Sequence, residues 1–179
     1  MKKILMVSAS PRKGGNSDTL LDAFGQGAAD AGNTVEKIYC SDYQINYCQG
    51  CCACMETKKC VQQDDMAGLL AKMIEADIIV LGTPVYFYCM CGQMKTFIDR
   101  CCPQYSDICD KIFYLVMTAA DAEEDGAFDE TLEAFNGFLR CLDGAHIGGI
   151  VRGEGAFKKG EIENTPAMHT AYEYGAAIC

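Results

Sequence analysis

Short apolar runs recur along the chain, and each ends in a cluster of turn-forming residues. The clearest is Ile78-Ile79-Val80-Leu81, a continuous apolar run followed by Gly82-Thr83-Pro84. Such a run is typical of a strand that is buried on both faces of a parallel sheet. The pattern predicts five strands, at residues 3–8, 34–40, 78–81, 112–117 and 145–151.

Helical segments separate these strands. Ser17 is a favourable N-cap, Asp18 follows it in the first turn, and Pro166 suits the first position of the last helix. The predicted helices cover residues 17–31, 64–75, 93–101 and 128–142, with a last one from 164 or 165 onward. Alternating strands and helices predict a three-layer α/β sandwich with right-handed crossovers. Five strands at these intervals suit a parallel sheet in the order 2-1-3-4-5.

Composition narrows the class of protein. A chain of 179 residues with 50% hydrophobic residues is most simply one domain, residues 1–179. The formal net charge of −10 argues against nucleic acid as a partner. No apolar run approaches the roughly 18 residues that span a bilayer. The start of the chain fits a strand better than a signal peptide, so we expect a cytoplasmic protein without a membrane partner.

The loop after the first strand carries anion-binding chemistry. It lies where a strand ends and a helix begins, a position at which backbone N–H groups and the helix dipole attract phosphate. The loop matches neither Gly-x-Gly-x-x-Gly nor Gly-x4-Gly-Lys-Ser/Thr, which leaves a terminal monophosphate or an ordinary polar turn. The candidate phosphate-binding residues are Ser8, Ser10, Arg12, Asn16 and Ser17.

The loop after the third strand is aromatic and carries a glycine. Flat side chains suit a planar heterocycle, and backbone N–H groups can bind its carbonyl oxygens and ring nitrogens. The alternative is that these side chains belong to the core. The candidate residues are Pro84, Val85, Tyr86, Phe87 and Gly92.

The segment at residues 44–63 is rich in cysteine and lacks helical or strand periodicity. Cys48, Cys51, Cys54 and Cys60 follow the spacing Cys-x2-Cys-x2-Cys-x5-Cys, which allows four thiolates to wrap one iron–sulfur cluster. Zinc is less favoured, because zinc sites usually draw ligand pairs from more separated segments. Thiols that bind nothing are the third interpretation. Cys52 is an additional thiol inside the motif.

Together, these motifs resemble the NAD(P)H-dependent FMN reductases of the flavodoxin-like superfamily. The resemblance rests on Ser8-x-Ser-Pro-Arg with Gly15-Asn16-Ser17, on Thr83-Pro84-Val85-Tyr86-Phe87, and on Gly92-Gln93-Met94-Lys95-x-Phe97-x-Asp99-Arg100. It implies that the first loop holds the FMN phosphate and that the second borders the isoalloxazine ring. A third loop, with Thr118 and Asp121, also corresponds to a cofactor loop.

The cysteine motif is similar to that of the iron–sulfur flavoproteins within this superfamily. That likeness implies a 4Fe-4S cluster ligated by Cys48, Cys51, Cys54 and Cys60 beside FMN. Related reductases without a cluster carry similar cysteines, so both states stay open.

The resemblance implies an FMN-dependent oxidoreductase. We expect electrons to pass from NAD(P)H or a ferredoxin-type donor through FMN to a small acceptor such as a quinone or a flavin. No side-chain nucleophile is required. The family also implies a homodimer or homotetramer, with residues 152–160 as a candidate contact. Two other functions stay open: a non-enzymatic flavodoxin-like electron carrier, and a metal-binding interaction protein.

Overall fold

A five-stranded parallel sheet forms the centre of the molecule. The computed structural model describes all residues from 1 to 179. The strands lie in the order β2-β1-β3-β5-β6, and β4 pairs with β3 in the antiparallel sense. The strands are β1 (Lys3–Ser8), β2 (Thr34–Tyr39), β3 (Ile78–Tyr86), β4 (Cys89–Met90), β5 (Ile112–Thr118) and β6 (His146–Gly153). The helices are α1 (Asn16–Asp30), α2 (Ala53–Thr57), α3 (Met66–Glu75), α4 (Gly92–Asp99), α5 (Asp129–Leu139) and α6 (Pro166–Ala176).

Helices cover both faces of the sheet, so successive strand residues belong to two different cores. In β1, Ile4 and Met6 pack on the side of α1 and α6, whereas Leu5 and Val7 face the side of α3, α4 and α5. This two-sided burial explains why the strands have continuous apolar runs instead of alternating ones. The predicted flavodoxin-like α/β sandwich is confirmed. Without the two-residue strand β4, the strand order is the predicted one.

The third strand is longer than predicted, because it continues through Pro84 to Tyr86. On one side, β1 ends at the pair formed by Ser8 and Gly82. Gly82 accepts a hydrogen bond from Ala9 on that side, and Pro84 has the same orientation two residues further on. Its missing N–H therefore points where no neighbouring strand remains, which is where a sheet tolerates proline.

Two short elements were not predicted. The hairpin formed by β3 and β4 follows the end of the expected third strand, and the five-residue helix α2 lies in the cysteine-rich segment. Both are too short for a recognisable apolar period. No helix is both long and apolar enough to cross a membrane.

Glycines allow α1 and α6 to approach each other backbone to backbone. A Cβ atom added at Gly27 would collide with the Tyr172 carbonyl oxygen, and one added at Gly175 would collide with the Phe24 carbonyl oxygen. Neither helix can therefore accept a larger residue at this contact without moving away from its partner.

We expect Gly27→Ala to lower the free energy of unfolding by about 1–3 kcal/mol, because the added methyl group forces two tightly packed helices apart. Gly68→Ala in α3 is the matched control, since a Cβ there meets no atom within 4 Å. That change should stabilise the protein by up to about 1 kcal/mol through the higher helix propensity of alanine. Urea unfolding of both variants measures the difference, and equal stabilities would contradict the close packing.

Candidate functional site

The carboxyl ends of β1, β3 and β5 surround a cleft of about 520 Å³. The loops that follow these strands form its walls, and residues from the segment before α6 complete it. The cleft is mainly apolar with a few polar groups, as is usual for cofactor sites, and its volume lies within their common range of about 300–1,000 Å³. Its lining residues are Ser10, Arg12, Asn16, Ser17, Pro84, Val85, Tyr86, Phe87, Tyr88, Thr118, Ala119, Ala120, Asp121, Ala127, Ala156 and Phe157.

The loop after β1 folds into a tight turn that directs α1 towards the cleft. Gly15 donates its N–H to the Arg12 carbonyl at 3.0 Å, and the Ser10 hydroxyl lies 3.2 Å from the same carbonyl oxygen. The N–H groups of the first helical turn have no acceptor within the helix. Arg12 is exposed and lines the cleft, and none of the ion pairs in the structure includes it.

The buried carboxylate of Asp18 holds this turn in place. Asp18 accepts the Gly14 N–H at 2.6 Å and pairs with the ammonium group of Lys37, which also lies 2.6 Å from Asp22. Burial disfavours the charge on Lys37, but hydrogen bonds to Asp18 and Asp22 outweigh it and raise the pKa of Lys37 above its ordinary value. Lys37 therefore stays charged and compensates Asp18 beneath the loop.

Two of the predicted phosphate-binding residues have other roles. Ser8 is fully buried, and its hydroxyl donates to Asp18 at 3.5 Å, so it lies behind the loop and does not line the cleft. Asn16 lines the cleft, but its side chain is already engaged. Its amide donates to the carbonyls of Ala156 and Lys158, and its oxygen accepts the Gly160 N–H.

The aromatic loop is a hairpin turn with an uncommon backbone. Tyr86 pairs with Cys89, and the two residues between them have positive φ angles, 50° for Phe87 and 62° for Tyr88. This is the geometry of a type I′ turn, in which asparagine and glycine are the usual residues. Two bulky residues there are strained, and such strain is concentrated at functional sites. The Phe87 side chain is fully exposed at the edge of the cleft.

Contacts from two other segments hold the hairpin over the cleft. Thr131 donates to the Tyr88 carbonyl at 3.2 Å, and the Tyr88 hydroxyl lies 3.4 Å from Asp121. The negative charge of Asp121 raises the pKa of Tyr88. Gly92 does not reach the cleft; it lies at the start of α4 and lines a separate pocket of about 300 Å³.

The third loop joins the first through a buried hydroxyl pair. Thr118 Oγ1 and Ser17 Oγ are 2.5 Å apart, and both side chains are almost completely buried. Thr118 and Asp121, which the resemblance placed at the cofactor, both line the cleft.

The predicted cysteine ligands share a second, smaller cavity. Cys48, Cys51, Cys54 and Cys60 line a space of about 80 Å³, together with Cys52 and Cys102. In this conformation no three Cys, His, Asp or Glu side chains converge closely enough to hold a metal ion. Burial and the adjacent Cys54 thiol raise the pKa of Cys102 to about 11.

One buried arginine ties the two ends of the cysteine-rich segment together. Arg100 forms a two-pronged ion pair with Asp64, at 2.6 and 2.9 Å, and donates to the Asn46 carbonyl at 2.7 Å. Its Nη2 also lies 3.5 Å from Cys60 Sγ. Its Nε is buried without any hydrogen-bond partner. A buried unpaired donor is costly, so an acceptor that reached this atom would stabilise the arginine.

Sequence reasoning missed several residues of the cleft. Asp18 was recognised only as a residue of the first helical turn. No sequence pattern indicated that it forms an ion pair with Lys37. The segment that contributes Ala156 and Phe157 was interpreted as a partner contact. The six glycines between residues 144 and 160 were the available signal for an unusual backbone there.

Residues 2–150 match the family model for NADPH-dependent FMN reductase. The chain belongs to this family. The family consists of oxidoreductases that use FMN, so the predicted family and the predicted FMN cofactor are confirmed. The match ends before the segment that supplies Ala156 and Phe157.

Several curated relatives are iron–sulfur flavoproteins. One from Archaeoglobus fulgidus is 44% identical over 101 residues, which is 56% of this chain and 46% of the relative. One from Methanocaldococcus jannaschii is 41% identical over 101 residues, which is 56% of this chain and 52% of the relative. The chain thus spans about half the length of these relatives. A third, from Methanosarcina thermophila, is 27% identical over 99% of this chain and 93% of the relative.

Solved structures confirm the fold. An azoreductase from Bacillus anthracis superposes with a TM-score of 0.80 at 18% identity, covering 99% of this chain and 100% of the other. An NAD(P)H:quinone oxidoreductase from Methanothermobacter marburgensis gives a TM-score of 0.76 at 15% identity, with 98% and 94% coverage.

The Arg100–Asp64 pair should contribute strongly to stability. Arg100→Met leaves a buried carboxylate without its cation, and we expect the free energy of unfolding to fall by about 3–5 kcal/mol. Arg100→Met combined with Asp64→Asn removes both charges and keeps an acceptor at residue 64, so the double variant should lose less. Urea unfolding at pH 7 compares them, and a double variant no more stable than the single one would contradict this account.

The Arg100–Asp64 pair also makes the stability of the protein depend on pH in the acid range. The hydrogen bond from Arg100 lowers the pKa of Asp64 to about 2, although burial opposes the shift. Because the folded pKa is below the unfolded value of about 4, the stabilisation is complete above pH 4 and is lost as the pH falls towards 2. This loss should be absent in Asp64→Asn.

Proposed function

We propose that the chain is an FMN-dependent oxidoreductase that passes electrons from NAD(P)H or a ferredoxin-type donor to a small acceptor such as a quinone or a flavin. One observation carries the proposal: a single cleft has anion-binding groups at one end and an aromatic hairpin at the other. We further propose that residues 1–179 act as one FMN-binding domain with the cysteine-rich loop at residues 44–63.

The polar end suits a phosphate monoester. The Ser10 hydroxyl and the exposed Arg12 guanidinium line the cleft beside the start of α1. A guanidinium and helical N–H groups favour a dianion over a neutral group. Ser17 reaches the same wall, although its hydroxyl is paired with Thr118. Asn16 contributes through its backbone, because its side chain holds the neighbouring loop.

The other end suits a flat ring. The strand end at Pro84 and Val85 leads into the hairpin of Tyr86 and Phe87, and Phe157 lines the same cleft. Bound FMN supplies the hydride and single-electron chemistry. The chain's residues bind its phosphate, cover its ring and limit access of water. Asp121 beside the Tyr88 hydroxyl fixes the hairpin that provides this cover.

Arg12→Ala should weaken FMN binding by roughly ten- to a hundred-fold, because a charge-assisted hydrogen bond contributes on the order of 1.5–3 kcal/mol. Riboflavin, which lacks the phosphate, should lose much less. Lys13→Ala is the matched control, since Lys13 occupies the same loop but pairs with Asp42 and does not line the cleft. Fluorescence titration with both ligands measures the affinities. Equal losses for FMN and riboflavin would show that Arg12 does not contact the phosphate.

We also propose that Cys48, Cys51, Cys54 and Cys60 ligate a 4Fe-4S cluster. The donor set fits, because all four thiols line one cavity. Arg100, whose Nε has no hydrogen-bond partner, lines the same cavity. A cluster with thiolate ligands is anionic, and the Arg100 cation beside Cys60 would offset that charge. The thiols must converge further for ligation, and the largely exposed segment leaves room for that movement.

Anaerobic reconstitution with iron and sulfide should load about four irons per chain. Cys51→Ser should abolish this uptake, whereas the matched variant Cys52→Ser should retain it. Iron analysis and electron paramagnetic resonance after reduction provide the readouts. If iron is not incorporated while FMN still binds, the chain is a flavin reductase without a cluster.

A homodimer or homotetramer is the assembly that we propose. The side chains of Phe87 and Phe157 are both largely exposed at the cleft edge, 102% and 71% respectively. Large exposed apolar side chains grouped around a site are typical of interaction surfaces. A second subunit placed there would cover them.

A further inference from the structure

Two thiols from different parts of the chain meet at the small cavity. Cys54 Sγ and Cys102 Sγ are 3.8 Å apart, although the residues are 48 positions apart in sequence. No other hydrogen-bonded contact in the structure joins two thiols. Cys102 had no role in the sequence pattern, because it lies far outside the cysteine motif.

The two cysteines lie in segments that differ greatly in how firmly they are packed. Cys102 follows Cys101, which is completely buried in the core. Cys54 lies in α2, a five-residue helix that has no buried residue and is flanked by residues with positive φ, Cys52 and Lys58. The helix packs against the turn that starts at Cys102, with an ion pair of 3.6 Å between Lys58 and Asp107. Cys54 can therefore move towards a fixed partner.

The geometry points to a redox pair. A disulfide bond is about 2.05 Å long, so the sulfurs must approach by about 1.8 Å from their 3.8 Å separation. We propose that Cys54 and Cys102 form a reversible disulfide when the cavity holds no metal. This proposal does not require a cluster.

The chemistry is thiol–disulfide exchange with a small disulfide such as glutathione disulfide. One thiolate of the pair attacks a sulfur of that disulfide, forms a mixed disulfide and releases one glutathione thiolate. The other thiolate then attacks the protein sulfur of the mixed disulfide and releases the second glutathione. In sum, two protein thiols lose two electrons and two protons, and one glutathione disulfide becomes two glutathione molecules.

Oxidation of this pair would block the proposed cluster site. Cys54 cannot be both a disulfide partner and an iron ligand, so the two states exclude each other. This consequence rests on the proposed cluster, whereas the disulfide itself does not. Cys102 would then act as a switch for cluster assembly without being one of the four ligands.

Peptide mapping tests the pair directly. The full chain, treated with a chelator to remove metal, is incubated with glutathione disulfide, its free thiols are alkylated, and the digest is examined by mass spectrometry. The expected main cross-link joins Cys54 to Cys102. Cys102→Ser should lose it, and the matched control Cys109→Ser, which lies outside the cavity, should keep it. A main cross-link confined to residues 48–60, with Cys102 alkylated, would overturn the proposal.

Iron uptake tests the consequence. After the same oxidation and removal of glutathione disulfide, wild-type protein should take up several-fold less iron and sulfide than oxidised Cys102→Ser, and a thiol reductant should restore its uptake. Equal uptake by the two oxidised proteins would overturn the switch. If reduced wild-type protein takes up no iron although the cross-link forms, the cluster proposal fails and the redox pair stands.

Discussion

The offset between neighbouring parallel strands determines the architecture of the site. β1 ends at Ser8, opposite Gly82, while β3 continues four residues further to Tyr86. The first strand then gives way to the loop that precedes α1, and the third strand extends past that loop and lines the cleft. Pro84 is compatible with that extension only because its neighbour on one side has ended.

The sequence predicted those parts of the molecule that local patterns determine. The apolar runs of the strands and the turn residues of the first loop express short-range rules, so the sheet order and the position of the cleft followed from them. Ser17, predicted as the N-cap, lies inside α1, whose N-cap is Gly15. The observed bounds of the helices and strands differ from the predicted ones by a few residues. In β3, for example, pairing with neighbouring strands extends the strand to Tyr86. Gly92 lies at the start of α4 and lines a different pocket, which its closeness in sequence to the aromatic loop did not indicate.

Long-range pairs were beyond the reach of such rules. Asn16 has the composition of a phosphate ligand, but its amide is used by a segment about 140 residues away. Nothing near Asp64 in the sequence indicates that Arg100 is its partner. The cysteine spacing indicated four possible ligands, yet it could not show that Cys102 approaches them from the end of α4. In each case the decisive fact is which side chains the folded chain brings together.

The contacts of Asn16 also bear on how relatives of this protein diverge. The stretch that matches the family ends at residue 150, but Asn16 lies inside it and binds three backbone groups beyond it. The carboxyl-terminal segment thus reaches the loop after β1 mainly through main-chain atoms, joined by the Lys159 ammonium group, which donates to the Lys13 carbonyl at 3.4 Å. Chimaeras with a foreign carboxyl-terminal segment therefore need to preserve the path of this loop, including the positive φ angles of Gly155 and Gly160. Drift of the other side chains in that region is then compatible with an unchanged loop after β1.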